Sequence, residues 1–409
     1  MDALRVLADD LTGACDIGAE LLPGPGGVAV LPALDDRAAP LPRGAICVRN
    51  TQSRTVQPSE AASRVTAALG DVGPGWAGLV LKKIDTGLRG PLGAEIDATM
   101  DVLGVDEAFV LPAIPEVGRT TLGGRQMIGG IPVHETAFAR DPHHPIRDAS
   151  VPAALETTSR RRAAVVDITA VRGDMATAIE RARAAGAAVL VCDAETETDL
   201  ERAVRALLLR ARPLLLVGST GLARALRRVL GIEQAGRTVR AGGPAPFPGE
   251  GVLVVAGSAH PATRQQVERA AERRVVQPIE VASLAGAEWA GAQAARTLGS
   301  GVVPALITPA TQAPDSGAVL AMLRRAALAT LARVRPSGLV LVGGETAYQV
   351  VEGLGLPPLW LESRLCPLVV RARLMAGAYA GLALVTKGGS TGAPDLLASI
   401  VRQLARGAV

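Results

Sequence analysis

Lysine is scarce in this chain. Only Lys82, Lys83 and Lys387 occur, and the other forty of its 43 basic residues are arginine. Where nearly every positive charge is a planar guanidinium, a retained lysine indicates a need for a compact ammonium. Two lysines lie in Lys82–Gly90 and the third begins Lys387–Gly392, and both segments are typical of loops that bind anions. The alternative is a general drift toward arginine that left three lysines by chance.

Cysteine and long apolar runs are also few. The four cysteines lie far apart and form no CxxC pair, which argues against a disulfide framework and a thiolate zinc site and favours a reducing compartment. No apolar run reaches the roughly 18 residues of a membrane span, and the acidic N-terminus is wrong for a signal peptide. We expect a cytoplasmic protein without membrane partners.

Aromatic residues are nearly absent, with three Trp, two Tyr and three Phe, so there is little surface on which nucleic-acid bases could stack. The net charge of +4 is small and the arginines are scattered, as on solvated helix faces. Nucleic acid is therefore not an expected partner.

What the sequence does contain is a regular alternation of short apolar runs and amphipathic segments, which predicts an α/β fold with mostly parallel sheets. Residues 242–251 are too rich in Gly and Pro for a helix or strand and predict a linker. We therefore expect two α/β domains, 1–241 and 252–409. Residues 112–150 break the alternation and predict a long irregular segment.

Two acidic residues, Asp9 and Asp10, follow the first predicted strand and precede a helix. The carboxyl edge of an open α/β sheet is where ligands bind, so these residues are candidates for a proton acceptor and a hydroxyl anchor. The alternative is that one of them caps the helix. A phosphatase-like DxDxT loop is excluded because Leu11 stands where its second aspartate belongs.

A second strand end carries Lys82, Asp85 and Arg89. Lys82 and Arg89 are suited to hold a carboxylate or phosphate, and Asp85 could bind a hydroxyl. A purely structural ion-pair network is the alternative. Arg54 and Arg119 add arginines at the same rim, and the combination predicts a small polyhydroxylated acid as ligand.

Three strand-end loops in the second half are rich in glycine and hydroxyls and together suggest a nucleotide site. Their candidate residues are Ser258, Gly343, Gly344, Glu345, Thr346, Lys387, Gly388 and Gly389. The helix that starts at Pro261 would add free N–H groups for a phosphate. None of the loops matches the Walker or GxGxxG pattern, and tight strand-to-helix turns are the alternative. The four histidines have no metal-ligand spacing, so metal ligands stay unassigned.

These segments resemble the four-carbon acid sugar kinase family. The motifs that carry the resemblance span nearly the whole chain: ADDLTGA (8–14), KKIDTGLRGPLGAEIDA (82–98), PAIPEVGRTT (112–121), PVHETAFARDPHHP (132–145), GSAHPATRQQ (257–266), VGGETA (342–347) and KGG (387–389). The family phosphorylates threonate, erythronate or 3-oxo-tetronate with ATP.

The resemblance implies that a sugar acid binds in the first domain, that ATP with Mg²⁺ binds in the second, and that transfer to a terminal hydroxyl occurs in an interdomain cleft. It implies a sugar-acid site lined by Asp9, Asp10, Arg54, Lys82, Asp85 and Arg89. Ser258, Gly343–Thr346 and Lys387–Gly389 would line the ATP site. Lys387 would hold the triphosphate, arginines would clamp the carboxylate, and Asp10 or Asp85 would orient the attacking hydroxyl.

Two departures from the family pattern bear on this expectation. The family usually has DSTLRG where this chain has DTGLRG, so a hydroxyl is lost at Gly87, and its final loop often has an aromatic at the position of Thr391. The rivals to a kinase are a sugar-acid sensor without catalysis and a nucleotide-independent, metal-dependent aldolase or phosphatase. The sequence leaves the oligomeric state open, with a homodimer as one option.

Overall fold

The structure is a computed structural model that describes residues 4–22, 27–32, 41–42, 44–73, 75–141, 144–232, 243–309 and 316–406. These residues divide into two compact units. The first holds the described residues of Met1–Val28 and Pro42–Gly236, and the second holds Leu41 and the described residues of Ala29–Pro32 and Arg237–Val409.

The strands in chain order are β1 Leu4–Ala8, β2 Val28–Leu31, β3 Ile46–Asn50, β4 Leu79–Lys83, β5 Ala108–Leu111, β6 Arg119–Leu122, β7 Arg125–Ile128, β8 Ile131–Pro132, β9 Ala163–Val166, β10 Val189–Cys192, β11 Leu214–Gly218, β12 Val252–Ala256, β13 Gln277–Glu280, β14 Pro304–Ile307, β15 Gly338–Val342, β16 Leu359–Cys366, β17 Val369–Leu374 and β18 Ala383–Lys387.

The α-helices are α1 Leu11–Glu20, α2 Pro58–Ala68, α3 Leu92–Leu103, α4 Val151–Glu156, α5 Ile168–Arg172, α6 Met175–Ala184, α7 Glu197–Leu207, α8 Thr220–Val229, α9 Pro261–Glu272, α10 Ala287–Gly299, α11 Ser316–Leu331, α12 Gly344–Gly353 and α13 Leu396–Arg406.

The first unit is built on a parallel sheet with the order β3-β1-β4-β11-β5-β10-β9. Its central strands β4 and β11 are buried along their length, as expected where helices cover both faces of a parallel sheet, and they are apolar except for the two lysines that end β4. Side chains of β4, β5, β10 and β11 pack with those of α3 in one core that includes Val80, Ile96, Val110 and Val217. This sheet fixes the carboxyl ends of β3, β1 and β4 side by side.

The stretch 112–150 is not simply irregular as the sequence predicted. Strands β6, β7 and β8 form a small antiparallel sheet within it, and short 3₁₀ helices follow at Val133–Glu135 and Ala137–Arg140. Its turns contain Gly123, Gly124, Gly129 and Gly130, all at positive φ. Because these turns follow one another closely, the strands between them are too short to produce an apolar pattern.

The second unit has the strand order β13-β14-β12-β15-β18-β17-β16-β2. The first five strands run parallel, and β17, β16 and β2 continue the sheet in antiparallel fashion. Side chains of β12, β15, β18, α9 and α13 share a core that includes Val254, Val340, Val385 and Leu404. The carboxyl ends of β12, β15 and β18 are therefore neighbours.

The predicted α/β class is confirmed. The predicted linker 242–251 begins at Gly242, outside the described residues, and Gly243–Gly251 contain no helix or strand. His143 also lies outside the described residues. Among the residues described, no helix has both the length and the apolar character needed to cross a membrane.

Candidate functional site

Three strand ends meet at one edge of the first unit. Asp9 and Asp10 follow β1, residues 50–54 close β3 and lead away from it, and Lys82 and Lys83 end β4. The loop after β3 is tied to β1 because Ser53 N–H and Arg54 N–H both donate to the Asp9 carbonyl, at 2.9 and 3.2 Å. The edge predicted from the sequence is therefore a real cluster of charged side chains.

Arg54 links the two acidic residues of this edge. Its Nε and Nη2 donate to the two carboxylate oxygens of Asp9 at 2.8 and 2.9 Å, and Nη2 also donates to Asp10 Oδ1 at 2.6 Å. Burial alone would raise the pKa of Asp9, but the charges of Arg54 and Lys83 outweigh it and the pKa is lowered. Asp9 is thus a carboxylate that holds the Arg54 guanidinium in a fixed orientation.

Asp10 has the capping role that was the alternative to a functional one. It is the N-cap of α1, and its carboxylate accepts from Gly13 N–H at 2.9 Å and from Thr12 Oγ1 at 2.6 Å. The same carboxylate also accepts from Arg54, so capping places it at the edge rather than removing it from the site.

Lys82 is fully buried and already paired. Its Nζ lies 2.9 Å from Glu95 Oε2 on α3, and Ser53 Oγ donates to the other oxygen of that carboxylate. Burial raises the pKa of Glu95 above its usual value despite the opposing charge of Lys82. Lys82 therefore joins β4 to α3 beneath the edge.

Lys83 is the lysine whose charge stays available. Its Nζ donates to the Ile84 carbonyl at 2.8 Å, and within the described part of the chain it forms no ion pair with a carboxylate. A Cβ at Gly13 would lie 3.2 Å from this Nζ, so the glycine of α1 leaves room for the ammonium. The sequence analysis predicts Lys82 as the anion-binding lysine, and no local feature of the sequence shows that Lys82 and Lys83 have different partners.

Asp85 and Arg89 form the second ion pair of the edge. Arg89 Nε and Nη2 donate to Asp85 at 2.6 and 3.2 Å, and Nη1 donates to Asp141 Oδ2 at 2.9 Å. The guanidinium carbon lies 5.0 Å from the centroid of the Phe138 ring. Burial would raise the pKa of Asp85, but Arg89 and Arg54 hold it well below its usual range.

The glycine at position 87 is required by its neighbours. A Cβ there would lie 2.6 Å from Phe138 Cδ1 and 2.8 Å from Asp85 Oδ2, closer than real Cβ contacts. The aromatic ring thus occupies the space that a longer side chain would need. Beside it, Arg119 donates to Thr86 Oγ1, which places Arg119 at the same edge as predicted.

Asp16 is a carboxyl that the sequence analysis did not single out. It lies on α1, and its Oδ1 is buried without a hydrogen-bond partner among the described residues. Burial raises its pKa to about 7; the charges of Asp10 and Glu20 raise it further, while Lys83 and Arg119 oppose the shift. A helix residue outside any motif gives no sequence signal for such a role.

In the second unit, the three predicted loops approach one another closely. Gly343, at φ 108°, is the N-cap of α12, and its N–H donates to the Lys387 carbonyl at 2.9 Å. A Cβ at Gly389 would lie 2.6 Å from Ser258 Cβ, and one at Gly343 would lie 3.2 Å from that atom. The glycines therefore allow backbone-to-backbone packing of three strand ends.

Side chains of α9 hold the last loop in place. Thr263 Oγ1 donates to the Gly389 carbonyl at 2.9 Å, and Gln266 Nε2 donates to the Thr391 and Gly392 carbonyls at 2.9 and 3.0 Å.

The start of α12 packs against the loop after β12. Thr346 Oγ1 lies 2.5 Å from where a Cβ of Gly257 would be, so a side chain at position 257 is excluded too. Gly344 and Glu345 begin α12, whose N-terminal N–H groups face this cluster of loops.

Lys387, at the end of β18, is fully buried, and its Nζ donates to the Gly388 carbonyl at 2.8 Å. Burial lowers its pKa to about 8, with Cys366 opposing the shift. Among the described residues no carboxylate pairs with this ammonium, and a buried ammonium of this kind favours an anionic ligand. Over the ranges described, no group of three or more His, Cys, Asp or Glu side chains is arranged to hold a metal ion.

The sequence matches two domain families along most of its length. Residues 4–226 match a family described as a sugar-binding N-terminal domain, and residues 253–397 match a nucleotide-binding C-terminal domain. A D-threonate kinase of Salmonella typhimurium (strain LT2) is 30% identical over 96% of both chains. The chain belongs to the four-carbon acid sugar kinase family. A D-erythronate kinase of Heliobacterium modesticaldum in this family is 29% identical over 99% of this chain and 97% of its own.

A third family relative is a 3-oxo-tetronate kinase of Cupriavidus necator, 32% identical over 98% of this chain and 97% of its own. The fold is also that of a crystal structure from Salmonella typhimurium LT2 described as a tRNA synthase. That structure has a TM-score of 0.78 and 22% identity and covers 98% of this chain and 99% of that chain. At this identity the likeness shows the fold alone.

Proposed function

We propose that this chain is an ATP-dependent kinase that phosphorylates the terminal hydroxyl of a four-carbon sugar acid: threonate, erythronate or 3-oxo-tetronate. The observation that carries the proposal is the charged edge of the first unit, where three cationic side chains, Arg54, Lys83 and Arg89, lie among hydroxyls and oriented carboxylates. The names of the relatives, which act on three such acids, support the same substrate class.

In this proposal the sugar-acid carboxylate is bound by Arg54, Lys83 and Arg89. Asp9 and Asp85 each accept two hydrogen bonds from an arginine, so each guanidinium is held in a fixed plane before the ligand arrives. Lys82 supports the edge from below through Glu95 and does not touch the acid. Asp10, fixed as the cap of α1, orients a substrate hydroxyl.

We further propose that ATP binds at the three loops of the second unit. The N-terminal N–H groups of α12, the backbone of Gly388 and Gly389 and the hydroxyl of Ser258 would contact the phosphates, because a glycine-lined helix start suits an anion. Lys387 supplies the compact positive charge. Mg²⁺, bound mainly through the phosphate oxygens, would neutralise charge on the triphosphate.

Phosphoryl transfer passes through a loose transition state, so the protein contributes positioning and charge neutralisation more than covalent chemistry. The rigid ion pairs of the first unit and the glycine loops of the second are suited to this task. Their preorganisation lowers the barrier because little reorganisation is needed during reaction.

The kinase proposal is tested by ADP release from ATP and Mg²⁺ in the presence of D- and L-threonate, D- and L-erythronate and their 3-oxo forms. We expect one acid to stimulate release and Lys387→Met to abolish it. Arg296→Met, which removes an exposed charge on α10 of the same unit, should leave the rate unchanged. Acid binding without ATP consumption would instead indicate a sensor, and turnover without nucleotide would indicate an aldolase or phosphatase.

The two adjacent lysines provide a test of the substrate site. Lys83→Met should raise KM for the acid at least about tenfold, because a charged contact to the carboxylate is lost, and should lower Tm less than Lys82→Met does. Lys82→Met should instead lower the free energy of unfolding by about 3–5 kcal/mol, because Glu95 is left buried and unpaired. The reverse pattern would mean that Lys82 is the residue that meets the acid.

A further inference from the structure

Asp16 has a buried oxygen that nothing in the described structure satisfies. The residue lies on α1 one helical turn after Thr12, whose hydroxyl donates to Asp10 at 2.6 Å. The side chain as a whole is only half-buried, yet its Oδ1 is shielded from solvent and has no hydrogen-bond donor among the described residues. A buried acceptor without a donor is costly, and a ligand hydroxyl could provide that donor.

The charges that face Asp16 come from several elements. Asp10 and Glu20 lie on its own helix or at its cap, Lys83 ends β4, and Arg119 begins β6. Glu20 is in turn paired with Arg224 of α8 at 2.7 Å. Lys83 and Arg119 belong to the edge that we assign to the sugar acid, so Asp16 lies within electrostatic reach of that site.

Two other carboxyls of the edge, Asp9 and Asp85, are poor proton acceptors. Asp9 and Asp85 each accept two hydrogen bonds from an arginine, and the pKa of each is lowered by those charges against the effect of burial. A general base works best when its pKa lies near the operating pH. Burial first, then Asp10 and Glu20, raise the pKa of Asp16 to about 7.

We propose that Asp16 accepts the proton of the attacking sugar-acid hydroxyl through its unpartnered Oδ1. The hydroxyl O–H bond breaks and its proton passes to the carboxylate, while the hydroxyl oxygen forms a bond to the γ-phosphorus of ATP. The bond between that phosphorus and the β–γ bridging oxygen breaks, and ADP leaves with the electron pair. This inference rests on the kinase function proposed above.

The test is the pH profile of kcat for wild type and Asp16→Asn, with Asp106→Asn as the control. Asp106 is exposed and lies in the turn between α3 and β5, so the control makes the same chemical change away from the edge. We expect kcat of wild type to rise with pH through about 7. Asp16→Asn should lose this limb and about 10²-fold or more in kcat, with KM for ATP unchanged.

Retention of the acidic limb by a folded Asp16→Asn variant would overturn the proposal. If the variant does not fold, ¹³C NMR of aspartate-labelled wild type provides a second measurement. We expect one side-chain carboxyl to titrate near pH 7 and to shift when the sugar acid binds, and the absence of such a signal would also overturn it. Failure of the kinase proposal itself is distinct, because then wild type releases no ADP with any acid.

Discussion

Arg54 and Asp9 form a two-point ion pair at the carboxyl end of β1, with Nε to Oδ2 at 2.8 Å and Nη2 to Oδ1 at 2.9 Å. The same guanidinium reaches Asp10 at 2.6 Å, so one arginine forms hydrogen bonds with two adjacent buried carboxylates. Removing one partner of a buried ion pair leaves an uncompensated charge.

We therefore expect Arg54→Met to lower the free energy of unfolding at pH 7 by about 3–5 kcal/mol. Because Asp9 is stabilised as a carboxylate, this loss should shrink as the pH falls and the acids protonate. Urea denaturation at several pH values measures it. Arg228→Met, which breaks an exposed pair with Glu201, should cost less than about 1 kcal/mol, and equal losses in the two variants would refute this account.

Substitutions at Gly87 and Phe138 should have non-additive effects on the free energy of unfolding. Gly87→Ala places a Cβ 2.6 Å from Phe138 Cδ1, and we expect a loss of about 1–3 kcal/mol in the free energy of unfolding from overpacking. The double variant Gly87→Ala with Phe138→Leu should recover part of that loss relative to Phe138→Leu alone.

Gly73→Ala is the matched control, because no atom lies within 4 Å of its would-be Cβ. It should change stability by less than about 0.5 kcal/mol. Additive losses in the double variant, measured by thermal and urea unfolding, would show that the Phe138 ring does not limit position 87.

Lys387 should take up a proton when ATP binds. Burial lowers its pKa to about 8, so roughly three quarters of the side chains are neutral at pH 8.5. Nearby phosphates would raise this pKa and draw in a proton. Calorimetric titration with ATP at pH 8.5, in two buffers of different ionisation enthalpy, measures the uptake. Lys387→Met should show none, and an uptake equal to that of wild type would assign the proton to another group.

Asp16 should make stability depend on pH. Its folded pKa of about 7 lies above the ordinary 3.8, so its contribution to stability is fully present below about pH 4 and is lost as the pH rises through 7. A shift of about three pKa units corresponds to at most about 4 kcal/mol. Asp16→Asn should therefore be more stable than wild type above pH 7 by up to this amount.

The difference between Asp16→Asn and wild type should nearly vanish at pH 4. Asp106→Asn, on the exposed turn, should show no such trend. Denaturant unfolding of the three proteins from pH 4 to 8.5 provides the comparison. A difference that is constant over this range would contradict the raised pKa of Asp16.

Apolar runs located many strands of both units because parallel strands are buried on both faces. The apolar runs Leu4–Ala8 and Val252–Ala256 predict two strands, and the observed strands β1 and β12 have these same ends. The pair β16 and β17 was missed, because Glu362 lies in one strand and Arg371 and Arg373 in the other, and these charges interrupt any apolar run. Their ion pairs, such as Arg371 with Glu362 at 2.8 Å, exist only once the strands are paired.

The amphipathic pattern predicts a first helix over Ala14–Leu22, but helix α1 begins three residues earlier, at Leu11. Thr12 and Gly13 are weak helix formers, and the sequence does not show what offsets this. In the structure, the Asp10 carboxylate accepts hydrogen bonds from the Thr12 hydroxyl and the Gly13 N–H. A Cβ at Gly13 would meet Asp10 Oδ1 and would lie 3.2 Å from Lys83 Nζ.

The sequence also could not predict which of the two adjacent lysines pairs with a carboxylate. Lys82 and Lys83 end the same strand, and neighbouring strand residues point to opposite faces. Which of them meets Glu95 depends on how α3 packs on β4. Asp16 likewise is recognised only in three dimensions, where its buried Oδ1 has no hydrogen-bond partner in the described part of the chain.

The short strand β2 limits how this chain can be divided into independent parts. Ala29 and Val30 pair with Trp360 and Leu359 of β16, so the early part of the chain completes the sheet of the second unit. A gene fragment that encodes only the later part would produce a sheet with an unprotected edge at β16, prone to self-association. The second unit therefore depends on a strand from the early part of the chain, and a single cut after Gly236 would separate β16 from the strand that covers it.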